Sequence, residues 1–306
     1  MTEQARPAAT TSVSSVCELV SVATGPAAPL AARPRGTGTP LSLPPTTEGG
    51  CAVVTGASSG IGTALAERLA ARGYPLVVVA RREDRLRALA ERLTARHGVP
   101  VEVEAVDLGD RGGRRELAER LAEREVAVLC ANAGFATYGE LARLDAEREH
   151  LQVEVNVTAV HELTLAVLPG MVRRRRGAIL ITGSTAGNQP GPLNATYAAS
   201  KAFANTFAES LHAELRGTGV SCTLLAPGPV RTEFAQVAEL SKVDAVLPKR
   251  LSVSCERTAD LALAALERGE GRVVPGLFAK LLATGGRHAP RALLGPLLRT
   301  AYRRVM

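Results

Sequence analysis

Tyr197 and Lys201 stand four residues apart, at the two ends of a Tyr-Ala-Ala-Ser-Lys segment. In a helix that spacing puts both side chains on one face. A phenol normally gives up its proton near pH ~10, too high for easy work at neutrality. A neighbouring ammonium favours the phenolate and lowers that value. The pair could therefore pass a proton to or from an oxygen, as a general acid and base. Spacing alone proves little, because a Tyr and a Lys at helical spacing are commonplace.

A second segment points to a phosphate. Val53-Val54-Thr55-Gly56-Ala57-Ser58-Ser59-Gly60-Ile61-Gly62 joins an apolar run to a helical pattern. Gly56 permits a tight turn, Gly60 lets backbone approach a pyrophosphate, and Gly62 allows a helix to pack closely on a strand. Free N–H groups and the dipole at the start of that helix favour an anion. Glycines also mark ordinary turns. This loop is distinguished by falling at the first strand–helix junction of an alternating chain.

The elements that must hold these residues do alternate. Strand-like runs cover residues 51–55, 76–80, 101–106, 126–131, 178–182, 220–226 and a short 272–274. Helical patterns cover 61–72, 83–96, 114–124, 146–174 and 196–216. The fold class expected is α/β, a doubly wound parallel sheet covered by helices on both faces. Residues 1–49, rich in Ala, Pro, Thr and Gly, read as a disordered extension. Residues 50–275 read as the folded domain and 276–306 as a basic amphipathic tail. Residues 231–257 are less regular and read as a flap over the site, with apolar Phe234, Val237 and Leu240.

The spacing Gly-x-x-x-Gly-x-Gly, written here Gly56 to Gly62, resembles the classical short-chain dehydrogenase/reductase family. The likeness continues over roughly residues 50–235. It implies a Rossmann-like fold and an oxidoreductase that interconverts a carbonyl and a secondary alcohol by hydride transfer. It implies a catalytic set of Asn156, Ser184, Tyr197 and Lys201. Tyr197 would be the general acid and base, and Ser184 would hold the substrate oxygen. Lys201 would bond the nicotinamide ribose, and Asn156 would hold a water between Lys201 and solvent. The loop residues Gly56, Ser58, Ser59, Gly60, Ile61 and Gly62 would take the pyrophosphate. Asp107 and Leu108 resemble the family's adenine-binding segment, and Asn132-Ala133-Gly134 its segment after the fourth strand. The family more often has a second Asn where Ala131 stands. Pro227-Gly228-Pro229-Val230-Arg231-Thr232 resembles the segment in which the residues matching Val230 and Thr232 contact cofactor.

The second strand decides which dinucleotide is expected. A site for NAD places a carboxylate there, to hold the ribose 2′-hydroxyl. Here the strand ends Ala80-Arg81-Arg82, with arginines following. A guanidinium suits a 2′-phosphate, which a carboxylate would repel. NADP(H) is the cofactor expected, with Arg81 the first candidate and Arg82 the second.

Other function classes find little support. Of the five histidines and five cysteines, none shows metal-ligand spacing, and none of the cysteines forms a CxxC pair. The odd cysteine count reads as reduced thiols in a cytoplasmic protein. No run of consecutive apolar residues reaches the roughly 18 that a membrane span needs. The net charge of +7 resides in the tail: after Glu270 there are seven Lys or Arg and no acid. Nucleic-acid binding would place a basic patch with a reading motif on the folded domain, so no nucleic-acid partner is expected. Leu293, Leu297, Leu298, Ala301 and Tyr302 recur at helical spacing among the tail's arginines. That helix could pack on the domain or lie peripherally on an anionic membrane. A hydrolase built on Ser184 lacks the Gly-x-Ser-x-Gly elbow. The resemblance also implies a homodimer or homotetramer, built through helices 146–174 and 196–216. The runner-up function is a non-enzymatic NADP(H)-binding sensor or scaffold. The substrate expected is a small carbonyl or alcohol, apolar to match the flap.

Overall fold

The computed structural model describes residues 43–44, 50–230 and 252–288. Among these residues seven strands form one sheet. They are β1 (Cys51–Thr55), β2 (Leu76–Ala80), β3 (Val101–Ala105), β4 (Val126–Ala131), β5 (Gly177–Thr182), β6 (Val220–Leu225) and β7 (Arg272–Val273). All pair in parallel, in the order β3-β2-β1-β4-β5-β6-β7. The order reverses direction between β1 and β4. A crevice opens at such a switch point, beyond the carboxyl ends of the two strands.

The helices are α1 (Gly60–Ala70), α2 (Glu83–His97), α3 (Arg111–Ala122), α4 (Ala146–Val153), α5 (Ala159–Arg174), α6 (Ala195–Glu214), α7 (Cys255–Glu267) and α8 (Leu277–His288). Two apolar layers follow. One packs Leu65, Leu69, Leu86, Leu93 and Leu263 of α1, α2 and α7 on one sheet face. The other packs Leu117, Leu121, Leu163, Met171, Ala208 and Leu211 of α3, α5 and α6 on the opposite face. The central strands β1, β2, β4, β5 and β6 are therefore covered on both sides, which is why they read as largely apolar runs, with Ser221 and Thr223 the exceptions inside β6. Each fully buried Leu contributes about 1.5–3 kcal/mol. The edge strand β3 differs. Val101 and Val103 pack on the core, whereas Glu104 meets Arg120 at 2.8 Å and Glu102 meets Arg124 at 2.6 Å. Charge on an edge strand discourages pairing with another chain.

Two sequence readings are corrected and a third is narrowed. The stretch 146–174 is one long helical path, but Glu154–Thr158 form a π-turn between α4 and α5. The path is long and apolar enough to cross a membrane, yet half of its apolar window is buried in this fold, as in a core helix. The flap does not extend to 257. Val253 bridges to Val230, and Ser254 caps α7 by accepting the Arg257 N–H at 3.2 Å. The start of the tail, left open between packing on the domain and lying on a membrane, is packed on the domain as far as it is described. Helix α8 buries Ala279 and Ala283, and a Cβ on Gly228 would lie 2.7 Å from that of Ala279. The rest of the flap, the tail beyond 288 and nearly all of the N-terminal extension lie outside the described residues.

Candidate active site

The glycine loop leaves β1 and enters α1 as its spacing demands. Gly56 and Gly60 hold positive φ, at 69° and 59°, a region costly to residues with a Cβ. A Cβ on Gly62 would lie 2.1 Å from the Gly56 carbonyl oxygen, so the helix can approach the turn only as glycine. Ser59 caps α1 in extended backbone but gives it no side-chain hydrogen bond. The first-turn N–H groups of α1 therefore have no side-chain cap, and an uncapped start suits an anion. The Arg82 guanidinium reaches across to the loop and donates to Ser58 Oγ at 3.3 and 3.1 Å. Arg81 turns the other way and lies 3.8 Å from Asp107. Of the two arginines, Arg82 is the one bonded to the glycine loop. These residues fit a nucleotide diphosphate.

On the far side of the crevice Thr55 ties the loop to β4. Its Oγ1 accepts the N–H groups of Asn132 and Ala133 at 2.9 and 3.0 Å. Asn132 donates back to the Thr55 carbonyl at 3.1 Å and accepts from Thr182 Oγ1 at 3.2 Å. Asp107 closes a turn by accepting the Gly109 N–H at 2.9 Å. Leu108 is buried, and its carbonyl accepts from Arg114 at 2.8 Å. Arg114 is itself 1% exposed and pairs with Glu154 and Glu162 at 2.7 and 2.6 Å. It joins the Asp107-Leu108 turn to the π-turn.

The four residues singled out for catalysis converge beyond the ends of β4 and β5. Tyr197 sits in the first turn of α6, 8% exposed, packed with Ala136, Tyr138 and Ala186. Lys201 Nζ lies 5.9 Å from the Tyr197 ring centroid and donates to the Thr182 carbonyl at 2.8 Å. Burial draws that ammonium down to about 8. Ser184 caps the 3-10 turn Thr185–Asn188, and its Oγ accepts the Ala186 N–H at 3.1 Å. Asn156 lies in the π-turn, fully buried. Its carboxamide accepts the Phe135 N–H at 3.1 Å and donates to the Phe135 carbonyl at 2.9 Å and to Ser200 Oγ at 3.0 Å. Gly134 separates Asn156 from Lys201. A Cβ there would lie 2.9 Å from Asn156 Oδ1 and 3.2 Å from Lys201 Nζ. Leu193, in the loop before α6, holds φ at 62° while its carbonyl accepts the Gly139 N–H at 2.8 Å. For a non-glycine residue that is backbone strain, of the kind that gathers at functional sites.

Pro227, Gly228 and Val230 follow β6; the Pro227 carbonyl accepts the Thr185 N–H at 3.0 Å, and Val230 bridges to Val253. Thr232 lies outside the described residues. The sequence reading missed Thr55, Ser200 and Arg114. Thr55 and Ser200 lie inside the two motifs it quoted, which was the available signal. Arg114 carried none beyond its place on a helix. Cys130 and Cys222 are buried, with burial pushing both thiols up to about 12.

The parallel sheet, the switch point and the uncapped helix start define an α/β protein of the dinucleotide-binding kind. A family model described as short chain dehydrogenase matches residues 50–242, and the chain belongs to that family. It is 34% identical over 208 residues to a very-long-chain 3-oxoacyl-CoA reductase of Laccaria bicolor, a match covering 66% of this chain and 60% of that protein. The chain thus spans little more than half the length of such curated relatives. Its fold superposes on a short-chain dehydrogenase of Sphingobium yanoikuyae in complex with NADPH. The TM-score is 0.72 at 34% identity, over 80% of this chain and 95% of that one. It also superposes on the bulky-bulky ketone specific alcohol dehydrogenase of Comamonas testosteroni, with TM-score 0.69 at 30% identity, over 80% and 93%.

Proposed function

We propose that this chain is an NADP(H)-dependent oxidoreductase that interconverts a carbonyl and a secondary alcohol, with Tyr197 as general acid and base. The observation that carries the reading is the placement of a buried ammonium, Lys201 Nζ, 5.9 Å from the Tyr197 ring at the switch-point end of the sheet. Bound along the glycine loop, the nicotinamide cofactor would supply or accept the hydride. In the reducing direction Tyr197 donates its phenolic proton to the carbonyl oxygen, and in oxidation it takes that proton back. The Lys201 ammonium stabilises the phenolate left behind. Ser184 Oγ holds the substrate oxygen. Asn156 acts at one remove, fixing the Phe135 backbone and the Ser200 hydroxyl, which in turn donates to the Tyr197 carbonyl at 2.8 Å.

Arg82 supports NADP(H) over NAD(H). Its guanidinium stands at Ser58, where a carboxylate would be expected for NAD. Gly56, Ser58, Ser59, Gly60, Ile61 and Gly62 would hold the pyrophosphate, Asp107 and Leu108 the adenine, and Val230 and Thr232 the carboxamide end. The names of a very-long-chain 3-oxoacyl-CoA reductase and a bulky-bulky ketone specific alcohol dehydrogenase favour an apolar ketone or acyl substrate, and we extend the proposal to a homodimer or homotetramer in the cytoplasm. The test is oxidation of NADPH and of NADH with a panel of ketones, aldehydes and oxoacyl thioesters. Turnover that prefers NADPH is expected. Tight NADPH binding without turnover of any carbonyl would move the chain to the sensor or scaffold reading. Flotation of the intact and tail-deleted chains with anionic liposomes tests the tail; equal partition would remove membrane contact.

A further inference from the structure

Asn205 lies on α6 four residues after Lys201 and eight after Tyr197, so the three share one helix face. Its carboxamide is 4% exposed and grips both backbone groups of Ser184. The Ser184 N–H donates to Oδ1 at 3.2 Å, and Nδ2 donates to the Ser184 carbonyl at 2.9 Å. Nδ2 also reaches Asn188 Oδ1, in the 3-10 turn that Ser184 caps, at 3.2 Å. Strand β5 ends at Thr182, and the Gly183 N–H makes a last ladder-like bond to the Leu225 carbonyl at 2.8 Å. At Ser184 a side chain takes over the ladder's role. The local sequence is cut to fit it, because a Cβ on Gly183 would lie 2.0 Å from Asn205 Oδ1.

We infer that Asn205 is a positioning residue for Ser184: by clamping the serine backbone to the helix that carries Tyr197 and Lys201, it sets the hydroxyl against the phenol. The inference rests on the proposed reading, in which Ser184 holds the substrate oxygen. Both donor and acceptor of the carboxamide are used, so neither half is spare. Asn205→Asp keeps the size and the acceptor but loses the donor to the Ser184 carbonyl. Asn205→Ser removes both contacts while filling part of the space. Displacing a reacting group by about 1 Å can cost roughly 100-fold in rate.

The experiment is single-turnover reduction of the best carbonyl by NADPH in six chains. They are the wild type, Ser184→Ala, Asn205→Asp, Asn205→Ser, and each Asn205 variant combined with Ser184→Ala. NADPH affinity is measured by fluorescence titration and folding by thermal melts. The expected result is a rate loss of roughly 10- to 100-fold for both Asn205 variants, with NADPH affinity within about twofold of wild type. In the Ser184→Ala background the same changes should cost less than about threefold more, because the hydroxyl they position is gone. Wild-type rates in both Asn205 variants, or the full loss repeated without the hydroxyl, would overturn the inference. Ser184→Ala at wild-type rate would instead sink the proposed role of Ser184. One variant that does not fold leaves the other to decide.

Discussion

Replacing Lys201 with Met should inactivate the chain yet make it no less stable at neutral pH, and the difference should depend on pH in one direction. Lys201 is 3% exposed, and burial draws its ammonium from 10.5 down to about 8. That gap of roughly 2.5 pH units, at about 1.4 kcal/mol each, sets the cost of keeping the ammonium inside the fold at about 3–4 kcal/mol. Met has similar length and helix propensity, and it removes that cost. It also strands the Thr182 carbonyl, which accepts from Nζ at 2.8 Å; an unpaired buried acceptor costs about 1–3 kcal/mol. The net gain at pH 7 is therefore roughly 0–3 kcal/mol. Below pH 8 the lysine is protonated in both folded and unfolded chains, and the fold bears the whole cost. Between about 8 and 10.5 the unfolded chain holds a proton that the folded chain has released, so wild-type stability rises with pH. The advantage of Lys201→Met should therefore shrink by about 1.4 kcal/mol per pH unit across that window. Urea unfolding of both chains at pH 7, 8, 9 and 10 reads this directly. A difference that stays flat, or grows with pH, would refute the burial argument.

Other outcomes follow from particular contacts. Arg82→Ala should lower kcat/KM for NADPH roughly 10- to 100-fold, the worth of a charge-assisted hydrogen bond of about 1.5–3 kcal/mol, and change it little for NADH. Arg81→Ala should do less, and steady-state kinetics with both cofactors compares them. Gly134→Val would force a side chain between Asn156 and Lys201, where a Cβ alone meets them at 2.9 and 3.2 Å. Its carbonyl reduction should fall at least ~100-fold, which a stopped-flow trace would show. Arg114→Met takes a buried guanidinium away from its three partners, the Leu108 carbonyl, Glu154 and Glu162, and should cost roughly 3 kcal/mol. Glu154 and Glu162 are part-exposed and can be rehydrated, so the melting temperature should drop by about 5–10 °C rather than folding being lost.

Much of this was legible because each element carries its own punctuation. The central strands are apolar on both faces, Asp110 and Asp145 cap α3 and α4, and glycines stand at the turn into α1. The π-turn at Glu154–Thr158 was not legible, since α4 buries only Glu149 and Gln152 and so carries no apolar stripe whose change of phase would betray the extra residue. Helix α7 had a signal in its Ser254 cap and in Ala259, Ala262, Leu263 and Leu266, but the irregular stretch before it masked the start. Which of Arg81 and Arg82 bonds to the glycine loop was not legible, because that contact with Ser58 is made only when β1 and β2 lie side by side. Asn205 could be placed on the face of Tyr197 by counting, but its grip on Ser184 required β5 and α6 to be brought together.

The central claim is that the Tyr197 phenol moves the proton. The direct measurement is the rate of carbonyl reduction by Tyr197→Phe, alongside its affinity for NADPH. Loss of turnover by several hundredfold or more, with NADPH affinity kept within a few-fold, is the expected result, since positioned acid–base catalysis contributes about 100- to 10,000-fold. Turnover that survives the substitution unchanged would contradict it.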